Sequence, residues 1–117
     1  MKADQMDLVF ATLAHAARRR MLDLVQGAPG MSVSALTTHF REMSRIAVLK
    51  HIRALEAAEL IISKKTGRTR QLFFNPIPIQ FIYDRWTNDY SQFWSERMTD
   101  LKQRLEAREE SQENRSA

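Results

Sequence analysis

The stretch from Ser44 to Ile62 constrains this chain most. Val48, Ile52 and Leu55 recur at spacings of four and three, so they form one apolar stripe on a helix. Arg45, Ile46, Leu49, Lys50 and Arg53 then fall on the opposite face. Ser44 stands where an N-cap belongs, because its hydroxyl can accept from a free N–H of the first turn. Ser63-Lys64-Lys65-Thr66-Gly67-Arg68-Thr69-Arg70 follows directly. It predicts two strands, over 60–65 and 69–74, joined through Thr66-Gly67-Arg68.

Charge is concentrated in the same place. Between Arg41 and Arg70 there are eight Lys or Arg and three Glu, a net of +5 against +4 for all 117 residues. The remainder of the chain is therefore close to neutral, and the basic window points to a polyanionic partner. Arg45, Lys50 and Arg53 suit phosphate contacts or the O6 and N7 of guanine. Ile46 and Leu49 are apolar on the same face, and thymine methyl groups are the simplest use for them there. Strand residues alternate in direction, so Lys64 and Lys65 cannot both point one way. Some of Lys64, Lys65, Arg68 and Arg70 should grip phosphates, with Arg68 at the tip able to reach a minor groove. The competing explanation is a solvated helix face followed by a hairpin edge protected by charge.

Upstream, Met6, Val9, Phe10 and Leu13 predict a first helix over 4–13. Met21, Leu22, Leu24 and Val25 predict a second over 16–26, stopped by Gly27-Ala28-Pro29-Gly30. Ser32 or Ser34 can cap a third that runs through Phe40. The segment Val33–Ala57 thus has helix-turn-helix spacing, with its second helix suited to a major groove. The expected fold is mainly α with a small β-hairpin, a winged helix-turn-helix of four helices, two strands and a long C-terminal helix. DNA binding is the leading expectation for function. A winged helix that binds protein without DNA sequence specificity is the alternative.

A final helix is predicted over 79–106, longer than a domain of this size needs. Six of the ten aromatic residues lie in it, at Phe81, Tyr83, Trp86, Tyr90, Phe93 and Trp94. One small domain cannot cover Trp86, Tyr90, Phe93, Met98 and Leu101 on such a helix. A two-fold homodimer, to which the first helix adds Met6 and Phe10, would cover them. An apolar small-molecule effector is the rival occupant. One domain over 1–106 and a polar, disordered tail over 107–117 are expected.

The absence of cysteine excludes disulfides and thiolate metal sites. His15, His39 and His51 are too widely spaced to suggest a metal site, and no cofactor is implied. His15 occupies an N-cap position, where histidine serves poorly. Arg18-Arg19-Arg20 suits a solvated helix turn or contact with DNA backbone. No phosphate loop, nucleophile elbow or carboxylate pair stands out, so an enzyme is not expected. No run is apolar enough to cross a membrane and no signal peptide is recognisable, so a cytoplasmic location is expected.

The order Leu13-Ala14-His15-Ala16-Ala17-Arg18-Arg19-Arg20-Met21-Leu22, then Ser44 to Glu56, then the hairpin, resembles ArsR/SmtB-type winged-helix repressors. The likeness runs from about Asp7 to Leu105. Asn75-Pro76-Ile77-Pro78-Ile79 and Tyr83-Asp84-Arg85-Trp86 are similar to a branch of that family without the known metal ligands. The resemblance implies a homodimer held by first and last helices, a fourth helix reading an inverted repeat, and repression relieved by a signal. Three positions depart from the family pattern. The cysteine pair of metal sensors is absent, His15 replaces a frequent aspartate cap, and Leu49 replaces a frequent serine in the reading helix.

Overall fold

The computed structural model describes residues 1–87 and 89–116, with side chains for 1–87 and 93–114. Its elements are α1 (Ala3–Leu13), α2 (Ala16–Gly27), β1 (Met31–Ser32), α3 (Val33–Thr37), α4 (Arg45–Ala57), β2 (Ile61–Thr66), β3 (Thr69–Phe74), α5 (Ile77–Trp86) and α6 (Asp89–Ser116). The chain divides into two units, one over residues 1–82 and one from Tyr83 onward.

The first unit is built around one core. Met21 and Val25 of α2, Leu36 of α3 and Val48, Ile52 and Leu55 of α4 are completely buried, with Leu60 and Leu72. The predicted stripe of α4 is therefore its core face. Serine caps start both helices of the helix-turn-helix. Ser32 Oγ accepts from the N–H of Ala35 at 3.0 Å, and Ser44 Oγ accepts from that of Ala47 at 3.1 Å. The third helix stops at Thr37, short of Phe40, which is buried beneath the Arg20 guanidinium at 4.8 Å.

The sheet has three strands in the order β1-β3-β2, all antiparallel. The hairpin register pairs Ile61 with Phe74 and Thr66 with Thr69, which leaves Gly67-Arg68 as the loop. Gly67 has φ +62°, the left-handed conformation that two-residue hairpin turns require. The short β1 was not anticipated from the sequence. It joins Met31 and Ser32 to Leu72 and Gln71, and the N–H of Gly30 adds a bond to the Leu72 carbonyl at 2.8 Å.

Helix α4 ends on Glu59, a non-glycine residue at φ +60°. The N–H of Leu60 reaches back to the Leu55 carbonyl at 2.9 Å, closing a Schellman-type end. Asn75 Nδ2 donates to the Glu59 carbonyl at 2.8 Å and holds this strained residue in place. A left-handed L-residue costs roughly 1–2 kcal/mol, partly offset against glycine by glycine's entropy. Glu59→Gly is expected to stabilise the fold by up to about 1 kcal/mol, read as a higher urea midpoint. An unchanged or lower midpoint would place the strain elsewhere.

The C-terminal region departs from expectation. The predicted single helix over 79–106 is two helices, with Thr87 outside both. The Thr87 hydroxyl donates to the Tyr83 carbonyl, a side-chain bond that competes with helix continuation. α6 itself continues through Ala107 to Ser116. This stretch is rich in Glu, Arg and Gln, good helix formers, and Asp100–Arg104 (2.9 Å) and Lys102–Glu106 (3.8 Å) pair one turn apart just before it.

Candidate nucleic-acid interface

Burying Val48, Ile52 and Leu55 sends the opposite face of α4 to solvent. Arg45, Lys50 and Arg53 are exposed there, and Ile46 is 79% exposed. Leu49 differs from the other predicted face residues. It is half-buried against the core edge, so the apolar patch on the exposed face is Ile46 with only the rim of Leu49. Helical rotation explains this, since Leu49 lies about 100° from Val48 and turns toward the hairpin.

The hairpin register sorts the wing cations. Lys65 lies opposite Arg70 and shares its face with Ile61, Ser63 and Leu72, the face toward the core. Lys64 lies opposite Gln71 on the other face. Arg70 is 3.7 Å from Glu56 of α4, and the same carboxylate accepts from Ser63 Oγ at 2.7 Å. Glu56 therefore fastens the wing to α4 and offsets the like-charge pairing of Lys65 with Arg70. Arg45 and Leu49 border a cleft of about 390 Å³ with Ser32, Ser34, Arg68, Thr69 and Arg70. Three arginines and three hydroxyls around one open cleft suit a phosphate.

A helix-turn-helix domain family matches residues 13–63, from the last residue of α1 into the first strand of the wing. The HTH-type transcriptional regulator YuzN of Bacillus subtilis (strain 168) is 31% identical over 85 residues, which are 68% of this chain and 92% of that protein. A crystal structure of an ArsR family transcriptional regulator superposes with a TM-score of 0.67 at 26% identity, covering 81% of this chain and 95% of the other. An ArsR-like regulator from Rhodococcus sp. RHA1 gives a TM-score of 0.63 at 28% identity over 86% and 92% of the two chains. This chain belongs to the ArsR-type winged helix-turn-helix transcriptional regulators. It is a DNA-binding transcriptional regulator, and the proteins it is similar to are regulators rather than enzymes.

The arginine triplet of this ArsR-type regulator is not a uniform solvated face. Arg19 donates to the Leu13 carbonyl at 2.6 Å, and Arg20 covers Phe40 while lying 3.9 Å from Glu42. Arg18 Nε donates to His51 Nδ1 at 3.1 Å, joining α2 to α4 across 33 residues of sequence. His15 makes no capping bond at the start of α2, and its ring lies 6.2 Å from that of His51.

Desolvation lowers the pKa of His51 from the ordinary 6.5, and the positive charges of Arg18, His15 and Lys50 lower it further. In the unfolded chain His51 takes up a proton near 6.5, whereas in the folded chain it does so only at lower pH. Its contribution to stability is therefore fully present above pH 6.5 and declines as pH falls toward the lowered folded value. The thermal midpoint of the wild type is expected to fall between about pH 7 and about pH 5.5, and His51→Gln to remove part of that fall. Superimposable profiles for the two proteins would contradict this role for His51.

The predicted self-association residues are distributed over three helices. Met6 is half-buried on α1 and Phe10 is 48% exposed, with Leu8 exposed nearby. Trp86 is exposed on α5, and Phe93, Met98 and Leu101 are exposed on α6. The side chain of Tyr90 lies outside those described. Trp94, Met98, Leu101 and Leu105 continue at spacings of four, three and four along α6, the a/d pattern of a coiled-coil seam. A cleft beside α1, lined by Leu8, Val9, Ala58 and Pro78 among others, has a volume of only about 100 Å³. That is below the ~300 Å³ at which small-molecule sites begin. Among the described residues no group of three or more His, Asp or Glu could hold a metal ion, and no helix is long and apolar enough to cross a membrane.

Proposed function

We propose that this regulator is a homodimeric repressor that reads an inverted repeat, with α4 in the major groove and the wing on flanking backbone. The exposed row Arg45, Ile46, Lys50 and Arg53, on a helix whose other face is locked into the core, supports this most directly. A side chain can read a base edge only if its backbone is held rigidly, and the buried stripe supplies that. Arg45 and Lys50 are the candidate base readers, and Ile46 is the candidate contact for a thymine methyl. Lys64, Lys65 and Arg68 are the candidate phosphate contacts of the wing.

Self-association is supported by the exposed apolar residues of α1 and by the seam along α6, which would leave large apolar side chains in water in a monomer. Repression follows from occupancy, because a dimer seated across a promoter excludes other proteins from that DNA.

Selection of bound duplexes from a random library tests the reading. The expected product is an inverted repeat whose half-sites lie about one helical turn, or a multiple of it, apart. Arg45→Ala or Lys50→Ala is expected to cost ~1–3 kcal/mol of binding and relax preference at one position per half-site. Sedimentation should show a dimer, with Trp86→Ala shifted to monomer. A pool without enrichment, or a monomeric wild type, would overturn the proposal.

A further inference from the structure

A helix in a major groove about 12 Å wide has a phosphate strand along each flank. One flank of α4 faces the wing, where Arg45 and Leu49 border the arginine cleft and Glu56 holds Ser63 and Arg70. Successive residues turn by about 100°, which puts His51 on the other flank, where it meets α2. His15, Arg18 and Lys50 surround it there, and all the charges acting on His51 are positive. His15 is exposed and caps nothing, while Arg18 spends its Nε–H on a neutral imidazole rather than on a carboxylate. A group of bases assembled without an acid is completed by an anion from outside.

We propose that His15, Arg18 and His51 hold a DNA backbone phosphate on the flank of α4 away from the wing. The proposal rests on the docking of α4 in the major groove. It gives that groove a phosphate contact on each side, one from the wing and one from the start of α2.

The site carries a proton linkage. In the free protein His51 Nδ1 accepts from Arg18, so it is unprotonated. A phosphate beside the ring favours the imidazolium. A proton taken from solvent by Nδ1 removes the lone pair that held Arg18. The new N–H and the released Arg18 Nε–H then both donate to the phosphate oxygens. DNA binding therefore takes up a proton in the range where free His51 is neutral.

The test is operator affinity by fluorescence anisotropy at constant ionic strength, from about pH 8 to about pH 6. Uptake of one proton per protomer should tighten wild-type binding by about five- to tenfold or more over that range. His51→Gln keeps an acceptor for Arg18 but cannot titrate, so its affinity should not tighten as the pH falls. His15→Gln, at an exposed position that does not endanger folding, should weaken binding. Arg18→Gln should lower the salt slope by about one per protomer. A pH-independent wild type, a His51→Gln protein with the same pH dependence, or an unchanged slope for Arg18→Gln would overturn the proposal with α4 docking intact. Loss of sequence-specific binding at every pH would overturn both.

Discussion

Operator binding is expected to weaken by ~10³–10⁵-fold when salt rises from about 50 to about 200 mM, corresponding to ~6–10 neutralised phosphates per dimer. Each protomer offers Arg45, Lys50, Arg53, Lys64, Lys65 and Arg68 as exposed cations on or beside α4, while Arg70 is partly spent on Glu56. Each bound cation displaces condensed counterions, and the entropy of their release is lost as bulk salt rises. Anisotropy titrations on a labelled duplex at several salt concentrations measure the slope directly. Lys64→Ala should lower it by about one per protomer and weaken all sequences alike. A nearly flat salt dependence would mean that the basic window is not the DNA surface.

The second large effect concerns the seat of the reading helix. Ile52 is fully buried beneath α4, and Ile52→Ala should destabilise the fold by ~2–5 kcal/mol, from lost transfer energy and the cavity left behind. That is a large part of the ~5–15 kcal/mol that holds a domain together. Urea denaturation should show a lower midpoint with an unchanged slope. The neighbouring Arg53→Ala should change stability by less than about 0.5 kcal/mol while weakening DNA binding. Equal stability losses for the two variants would mean that α4 is not divided into a buried face and a reading face.

Much of this arrangement is legible in the residues, because local rules govern it. Ser44 caps α4 by a bond three residues long, and the Val48–Ile52–Leu55 stripe follows from helical period alone. The hairpin turn follows from Gly67. What sequence reasoning missed depends on contacts between distant segments. The two-residue strand β1 has no pattern of its own and exists because Leu72 and Gln71 offer it a partner. Leu49 is half-covered because the wing folds back beside it. Arg18 and His51 are 33 positions apart, and no periodicity announces their bond. The departure of His15 from an aspartate cap was the one signal available, and it does point to this cluster. The break at Thr87 could have been suspected, since Thr-Asn-Asp is a poor sequence for the middle of a helix. The aromatic spacing on both sides outweighed it.

The strand β1 also bears on how such a regulator could diversify. It clamps the base of the wing at Leu72 and Gln71, and Glu56 clamps its side at Ser63 and Arg70. Beyond those fixings lies only the tip from Lys64 to Thr69, exposed throughout and strand-paired only within the hairpin. The tip is thus an exchangeable cassette on a rigid mount. Its length and charge can drift, or be replaced by design, without disturbing the helix that reads the groove.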